Sequence, residues 1–178
     1  MTATADGMGL APDLTAPIIA AEELLASQIP LRHRPELAAA LWMGGSSSAI
    51  GSVIGPAELS RAVVVDCAGE LSEAYRSGAA LYLPCVFTDL ETRPARWERI
   101  VTLVGEIAER VRSAEQAADV ERVIVVCQQG MNRSGLVTAL LLRALGEDAE
   151  SAIARIRLAR PGALSNQTFV ALIHAWPE

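Results

Sequence analysis

In the stretch VIVVCQQGMNRSG, Val123 to Gly135, a single thiol closes an apolar run and an arginine follows after five intervening residues. A cysteine is a nucleophile only as the thiolate, and successive backbone N–H groups at the positive end of a helix dipole favour that form. The same amides make a cradle for an anion. Arg133, at the far end of the loop, can curl back and offer a planar fork of donors to two oxygens of a tetrahedral dianion. Gly130 allows a tight backbone path between the two, and the Ser134 hydroxyl can donate to the sulfur, stabilising it as attacking and then as leaving group. This chemistry needs Cys127 at a strand end and Ser134 near a helix start.

The surrounding sequence supplies both. ERVIVVC (121–127) and AVVVDC (62–67) are continuous β-branched runs of the kind buried on both faces of a sheet. LWMGG (41–45) reads as a short strand closed by glycines, and AALYLPC (79–85) as a strand weakened at its end by Pro84. Leu136, Val137, Leu140, Leu141 and Ala144 recur at helical spacing after the loop, stopped by Gly146. Trp97, Ile100, Val101, Val104, Ile107, Ala108 and Val111 do the same over Pro94 to Arg112. Further helices fit Ala149 to Ala159 and Ser165 to Trp176, with Arg160, Pro161 and Gly162 as the break between them. Pro56 opens a helical turn, and the apolar spacing of Ile18 to Ile29 predicts a short amphipathic helix ended by Pro30. Strands alternating with long helices predict an α/β fold, a central mostly parallel sheet flanked by helices. Residues 1–17 carry no period and read as a disordered tail ahead of one domain over 18–178.

Composition narrows the function classes. The net charge of −6 and the lack of a long basic run argue against nucleic-acid and anionic-membrane partners. No apolar stretch reaches the roughly 18 residues of a membrane span, and the N-terminus does not read as a secretion signal, so a cytoplasmic protein is expected. Cys67, Cys85 and Cys127 are odd in number with no paired spacing, which speaks against a disulfide framework or a zinc site. Cys67 and Cys85 read as core thiols, with capture of an oxidised Cys127 as the alternative. His33 and His174 are isolated, and neither is expected to bind a metal. Arg93, Arg96 and Arg99 read as a solvated helix face, with one of them bordering a substrate groove as the alternative.

The motif C-x5-R, extended to CQQGMNRSG, resembles the phosphate-loop signature of the cysteine-dependent protein phosphatases, closest to the dual-specificity group. LWMGGSSSAI resembles that family's opening strand and turn, AVVVDCAGEL its next core strand, FTDLETRPARW the segment bearing its general acid, and RPGALSN with TFVALI its C-terminal helix pair. Residues 38 to 176 fall within the resemblance. It implies Cys127 as nucleophile, Arg133 as phosphate binder, Ser134 as thiolate partner and Asp89 as general acid, with the amides of Gln128, Gln129, Gly130, Met131, Asn132 and Arg133 holding phosphate oxygens. Glu91 competes with Asp89, which as a residue of TDLETRP can equally cap a turn. Asn166 is either a brace for the phosphate loop or a helix cap. Val126 stands where the family usually has His, removing one support of the loop and implying slower turnover. The implied activity is phosphomonoester hydrolysis on a phosphorylated protein or small phosphomonoester, without cofactor. A phosphoinositide or nucleotide phosphatase, a rhodanese-type sulfur carrier and a non-catalytic phosphate-binding module are the alternatives.

Overall fold

The two β-branched runs are neighbours in the middle of a six-stranded sheet, where both their faces are covered. The computed structural model describes residues 23–31, 39–112 and 120–176. Its elements follow in the order β1 (Leu25–Ile29), β2 (Ala40–Gly45), β3 (Ser52–Val53), α1 (Pro56–Leu59), β4 (Ala62–Asp66), α2 (Glu73–Gly78), β5 (Leu81–Pro84), α3 (Trp97–Arg112), β6 (Arg122–Cys127), α4 (Arg133–Ala144), α5 (Ala149–Ala159) and α6 (Gln167–His174). The strand order is β3-β1-β2-β6-β4-β5. Pairs β2–β6, β6–β4 and β4–β5 are parallel, and β1 is antiparallel to both β2 and β3. Four strands therefore end at one edge, the edge where open α/β sheets bind ligands.

Alternate side chains of the central strands enter two cores. Val63, Val65, Val123 and Val125 meet Ile100, Val104, Leu136, Leu140, Ile153 and Phe169 from the long helices. Val64, Ile124 and Val126 meet Leu24, Leu59 and Leu71 on the opposite face. Helix α4 is buried along most of its length, including Leu136, Leu140, Leu141 and Leu142. Each such leucine contributes about 2 kcal/mol, several times what the dipole at the helix start is worth to one exposed charge. Core burial, more than local hydrogen bonding, thus fixes where the N-terminus of α4 points.

The helix expected over Ile18–Ile29 is a strand where the chain is described: Leu25–Ile29 pairs with β2 from Leu25↔Gly45 to Ile29↔Leu41. Residues 18–22 lie outside the described residues, as do the tail 1–17 and His33. The apolar spacing of Leu24, Ala26 and Ile29 fits either period, and the open edge of β2 decides it. Leu24 and Ala26 enter one core and Ile29 the other, as a strand requires. Gly44 allows this pairing, since a Cβ there would lie 2.3 Å from the Leu25 carbonyl oxygen. Among the described residues no helix is long and apolar enough to cross a membrane.

Candidate active site

Cys127 is the last residue of β6, and its side chain is 4% exposed. The loop 128–132 returns over it, so that Gly130 N donates to Cys127 Sγ at 3.2 Å. Ser134 Oγ, fully buried in the first turn of α4, lies 3.3 Å from the same sulfur. Gly130 has φ +71°, and a Cβ on it would meet the Gly44 carbonyl carbon at 2.6 Å and the Arg160 guanidinium at 2.7 Å. Gly45 is equally committed: its Cβ would lie 2.4 Å from Gln128 O. The loop rests on the end of β2, and Ser46 N and Ser47 N donate to the carbonyls of Cys127 and Gln128 at 3.1 and 2.8 Å.

What this loop leaves unpaired is informative. Among the described residues, the N–H groups of Gln129, Met131, Asn132 and Arg133 donate to no protein acceptor. Arg133 Nε is buried and likewise has no partner among them. A buried donor left unpaired costs about 1–3 kcal/mol, so the Arg133 Nε beside these open amides marks a place made to receive an acceptor from outside. Asn132, at the N-cap of α4, does not cap with its side chain. Its Oδ1 instead accepts from Ser165 N, Ser165 Oγ and Asn166 N at 2.9, 3.1 and 3.2 Å. The helix start stays open for an anion.

That link joins the loop to the segment carrying Asp89. Asn166 Nδ2 donates to Asp89 Oδ1 and to Leu90 O, each at 3.0 Å, while its Oδ1 accepts from Phe169 N at 3.2 Å as the cap of α6. Asn166 is both the helix cap and a brace. Asp89, Glu91, Asn132, Ser165 and Asn166 line one open cavity of about 270 Å³. Both carboxylates that compete for the acid role therefore border the phosphate-loop side, but only Asp89 is held there by Asn166. No group of three or more metal-ligating side chains occurs among the described residues.

No family model matches the chain, and no curated protein matches it. Solved structures do. Tk-PTP in its active form shares 23% identity at a TM-score of 0.56, covering 85% of this chain and 97% of its own. Human DUSP28 shares 18% at 0.57, covering 84% and 95%. Kinase associated phosphatase, crystallised with its catalytic-site cysteine replaced by serine, shares 17% at 0.58, covering 85% and 92%. The chain has the fold of the dual-specificity and tyrosine phosphatases.

Within this phosphatase fold, the largest part of the site not read from sequence is Arg160. Its side chain is fully buried, and its pattern Arg-Pro-Gly signals only a helix break. Nε donates to Gly130 O at 2.7 Å, and the terminal nitrogens donate to Ser27 Oγ at 3.1 Å, Met43 O at 3.2 Å, Ile50 O at 3.0 Å and Gln129 O at 3.3 Å, with a further bond to Ser48 Oγ. Burial lowers its pKa and the neighbouring Cys127 charge opposes the shift. Leu164, with φ +57° and no exposure, donates its N–H to Met131 O at 3.3 Å and completes the support from below. Val126 is fully buried in the apolar cluster with Ile124, Leu24 and Leu71, and the polar group nearest it in the sheet is its register partner Asp66, whose Oδ2 accepts from the Tyr82 hydroxyl at 2.9 Å.

Proposed function

We propose that the protein is a phosphomonoester hydrolase of the dual-specificity or tyrosine phosphatase type, working through a cysteinyl-phosphate. The observation that carries this reading is the Cys127 sulfur in contact with the Gly130 N–H and the Ser134 hydroxyl, inside a turn of unpaired amides closed by the unpartnered Arg133 Nε. A phosphoryl group seated on those donors presents phosphorus to the sulfur for in-line attack. The S–P bond forms as the ester P–O bond breaks, and the leaving oxygen takes the proton of Asp89. Water then attacks phosphorus, gives its proton to Asp89, and the thiolate departs with the Ser134 hydroxyl as hydrogen-bond donor. The neutral side chains of Gln128, Gln129, Met131 and Asn132, with Asp89 and Glu91 beside them, favour a singly phosphorylated protein or aryl ester over a polyanionic inositide or nucleotide.

Cys127→Ser tests it. Turnover of an aryl phosphate should fall at least 1,000-fold while orthovanadate still binds, because a serine hydroxyl is barely ionised and the cradle is intact. Mass spectrometry of the quenched native enzyme should find a phosphoryl adduct on Cys127. The apolar setting of Val126 favours a second reading, a phosphate-binding module without turnover. In that case vanadate binds, no adduct forms, and native and Cys127→Ser chains are equally inert.

A further inference from the structure

Three free thiols stand in a row along the site edge of the sheet. Both parallel ladders run one residue past the strands: Cys67 N donates to Val126 O and Cys85 N to Asp66 O, each at 2.8 Å. The registers Asp66↔Val126 and Asp66↔Pro84 therefore carry on to set Cys67 between Cys127 and Cys85. All three enter the core that also holds Val65, Val125 and Leu83. Neighbouring strands are about 4.8 Å apart, inside the Cα separation that a disulfide spans. Cys127 belongs to the phosphate loop, whereas Cys67 and Cys85, side by side on the extended ladder, have no part in the hydrolysis described above.

Cys85 is the outer member of that pair. It lines a separate cavity of about 120 Å³ with Pro84, Val86, Arg96, Arg99 and Ile100, between the end of β5 and the start of α3. Arg96, just before α3, and Arg99, in its first turn, are both exposed and line the same opening. The adjacent Cys67 thiol, followed by the Arg99 charge, lowers the Cys85 pKa against the effect of burial. Burial, then the neighbouring Cys85 thiol, raises that of Cys67. Cys67 is fully buried, whereas Cys85 lines the cavity bordered by Arg96 and Arg99, so Cys85 is the candidate thiolate and Cys67 the resolving thiol beside it.

We propose that Cys85 and Cys67 form a dithiol site, separate from the phosphate loop, that exchanges with carboxylate-bearing disulfides entering between Arg96 and Arg99. The Cys85 thiolate attacks one sulfur of the incoming disulfide, forming a mixed disulfide and expelling one thiolate. That thiolate takes the Cys67 proton. Cys67 then attacks the Cys85 sulfur, the mixed disulfide breaks, and the second thiolate leaves. The chain gains a Cys67–Cys85 disulfide, and the reagent is reduced to two thiols.

The test uses the full chain carrying Cys127→Ser, which removes the nucleophile, so its result is independent of whether the native chain hydrolyses phosphate. Oxidised glutathione, neutral hydroxyethyl disulfide and cationic cystamine are the probes, read by peptide mass spectrometry and by released thiol. Expected are a Cys67–Cys85 disulfide, two thiols released per chain, and reaction with oxidised glutathione roughly 10-fold faster than with cystamine, as electrostatic steering allows. Cys67→Ala should stop at a mixed disulfide on Cys85 with one thiol released. Replacing both Arg96 and Arg99 by Gln should erase the preference for the anionic probe and leave the rate with hydroxyethyl disulfide within twofold. Equal rates for the anionic and cationic probes, or mixed disulfide only on Cys67, would overturn the assignment. So would recovery of both thiols free after prolonged exposure to all three probes.

Discussion

Asp89 and Glu91 are two residues apart, of like chemistry, and border the same cavity, so residue type cannot say which gives up a proton. Partners can. Asn166 fixes Asp89 by its side-chain amide and fixes the adjoining Leu90 carbonyl with the same nitrogen, while its own backbone N–H is held by Asn132 of the phosphate loop. In the proposed hydrolysis, a carboxyl tied this way to the Cys127–Arg133 loop returns to one position at every turnover, and a general acid placed so is worth about 100-fold or more. Asp89→Asn should therefore lower kcat on phenyl phosphate by roughly 100-fold, and far less on p-nitrophenyl phosphate, whose leaving group departs without a proton. Glu91→Gln should change either rate less than about threefold, the scale of a neighbouring exposed charge. Equal losses on both esters for Asp89→Asn, or a larger loss for Glu91→Gln, would move the proton to another residue.

At the scale of elements, Arg160 does for the backbone what Asn166 does for the acid. One guanidinium gathers β1 through Ser27, β2 through Met43, the turn after β2 through Ser48 and Ile50, and the phosphate loop through Gln129 and Gly130. Arg160→Met keeps the volume and strands several buried carbonyls, so stability should fall by about 3 kcal/mol in urea unfolding. Vanadate affinity should fall with it. Arg160→Lys should not rescue either property, because one ammonium cannot reach acceptors spread around a planar fork; full rescue would mean that charge alone is needed there. Nothing in the chain's patterning announces this residue, since its partners are 30 to 133 positions away. The loop itself was legible because Cys127, Gly130, Arg133 and Ser134 are local to one turn. The strands β4 and β6 were legible because an unbroken β-branched run buried on both faces has few other uses. Helix α2 buries no residue and so leaves no apolar stripe to read, and β1 depends on an edge supplied by residues beyond Ala39. The Asp89 segment carried no period at all; its place came from resemblance to a family, and its hold on the site from an asparagine 77 positions on.

For the molecule as a whole, the absence of lysine has a measurable consequence: all 15 basic residues are arginine, which leaves tyrosine and cysteine as the side chains that titrate between about pH 8 and 12. Tyr82 is pushed up to about 12 by burial and by donating its hydroxyl to Asp66 Oδ2 at 2.9 Å, with the nearby Arg76 opposing. A raised folded pKa means that the unfolded chain releases this proton first. The contribution is complete below the ordinary tyrosine value of 10.0 and is lost as pH climbs towards about 12. Cys67, raised by burial, acts in the same direction from a lower starting pH. Asp66 itself is buried and also accepts from the N–H groups of Ala68 and Gly69 at 3.0 and 2.7 Å, so it anchors the turn that follows β4 at the site edge. Tyr82→Phe removes one donor to that carboxylate and should lower stability at pH 7 by about 1 kcal/mol. It should also flatten the fall in thermal stability between about pH 10 and 12 relative to the native chain. Phenolate absorbance followed alongside unfolding separates the causes. If Tyr82→Phe leaves the alkaline slope unchanged, the loss of stability belongs to the buried thiol of Cys67, and Cys67→Ala should then remove it.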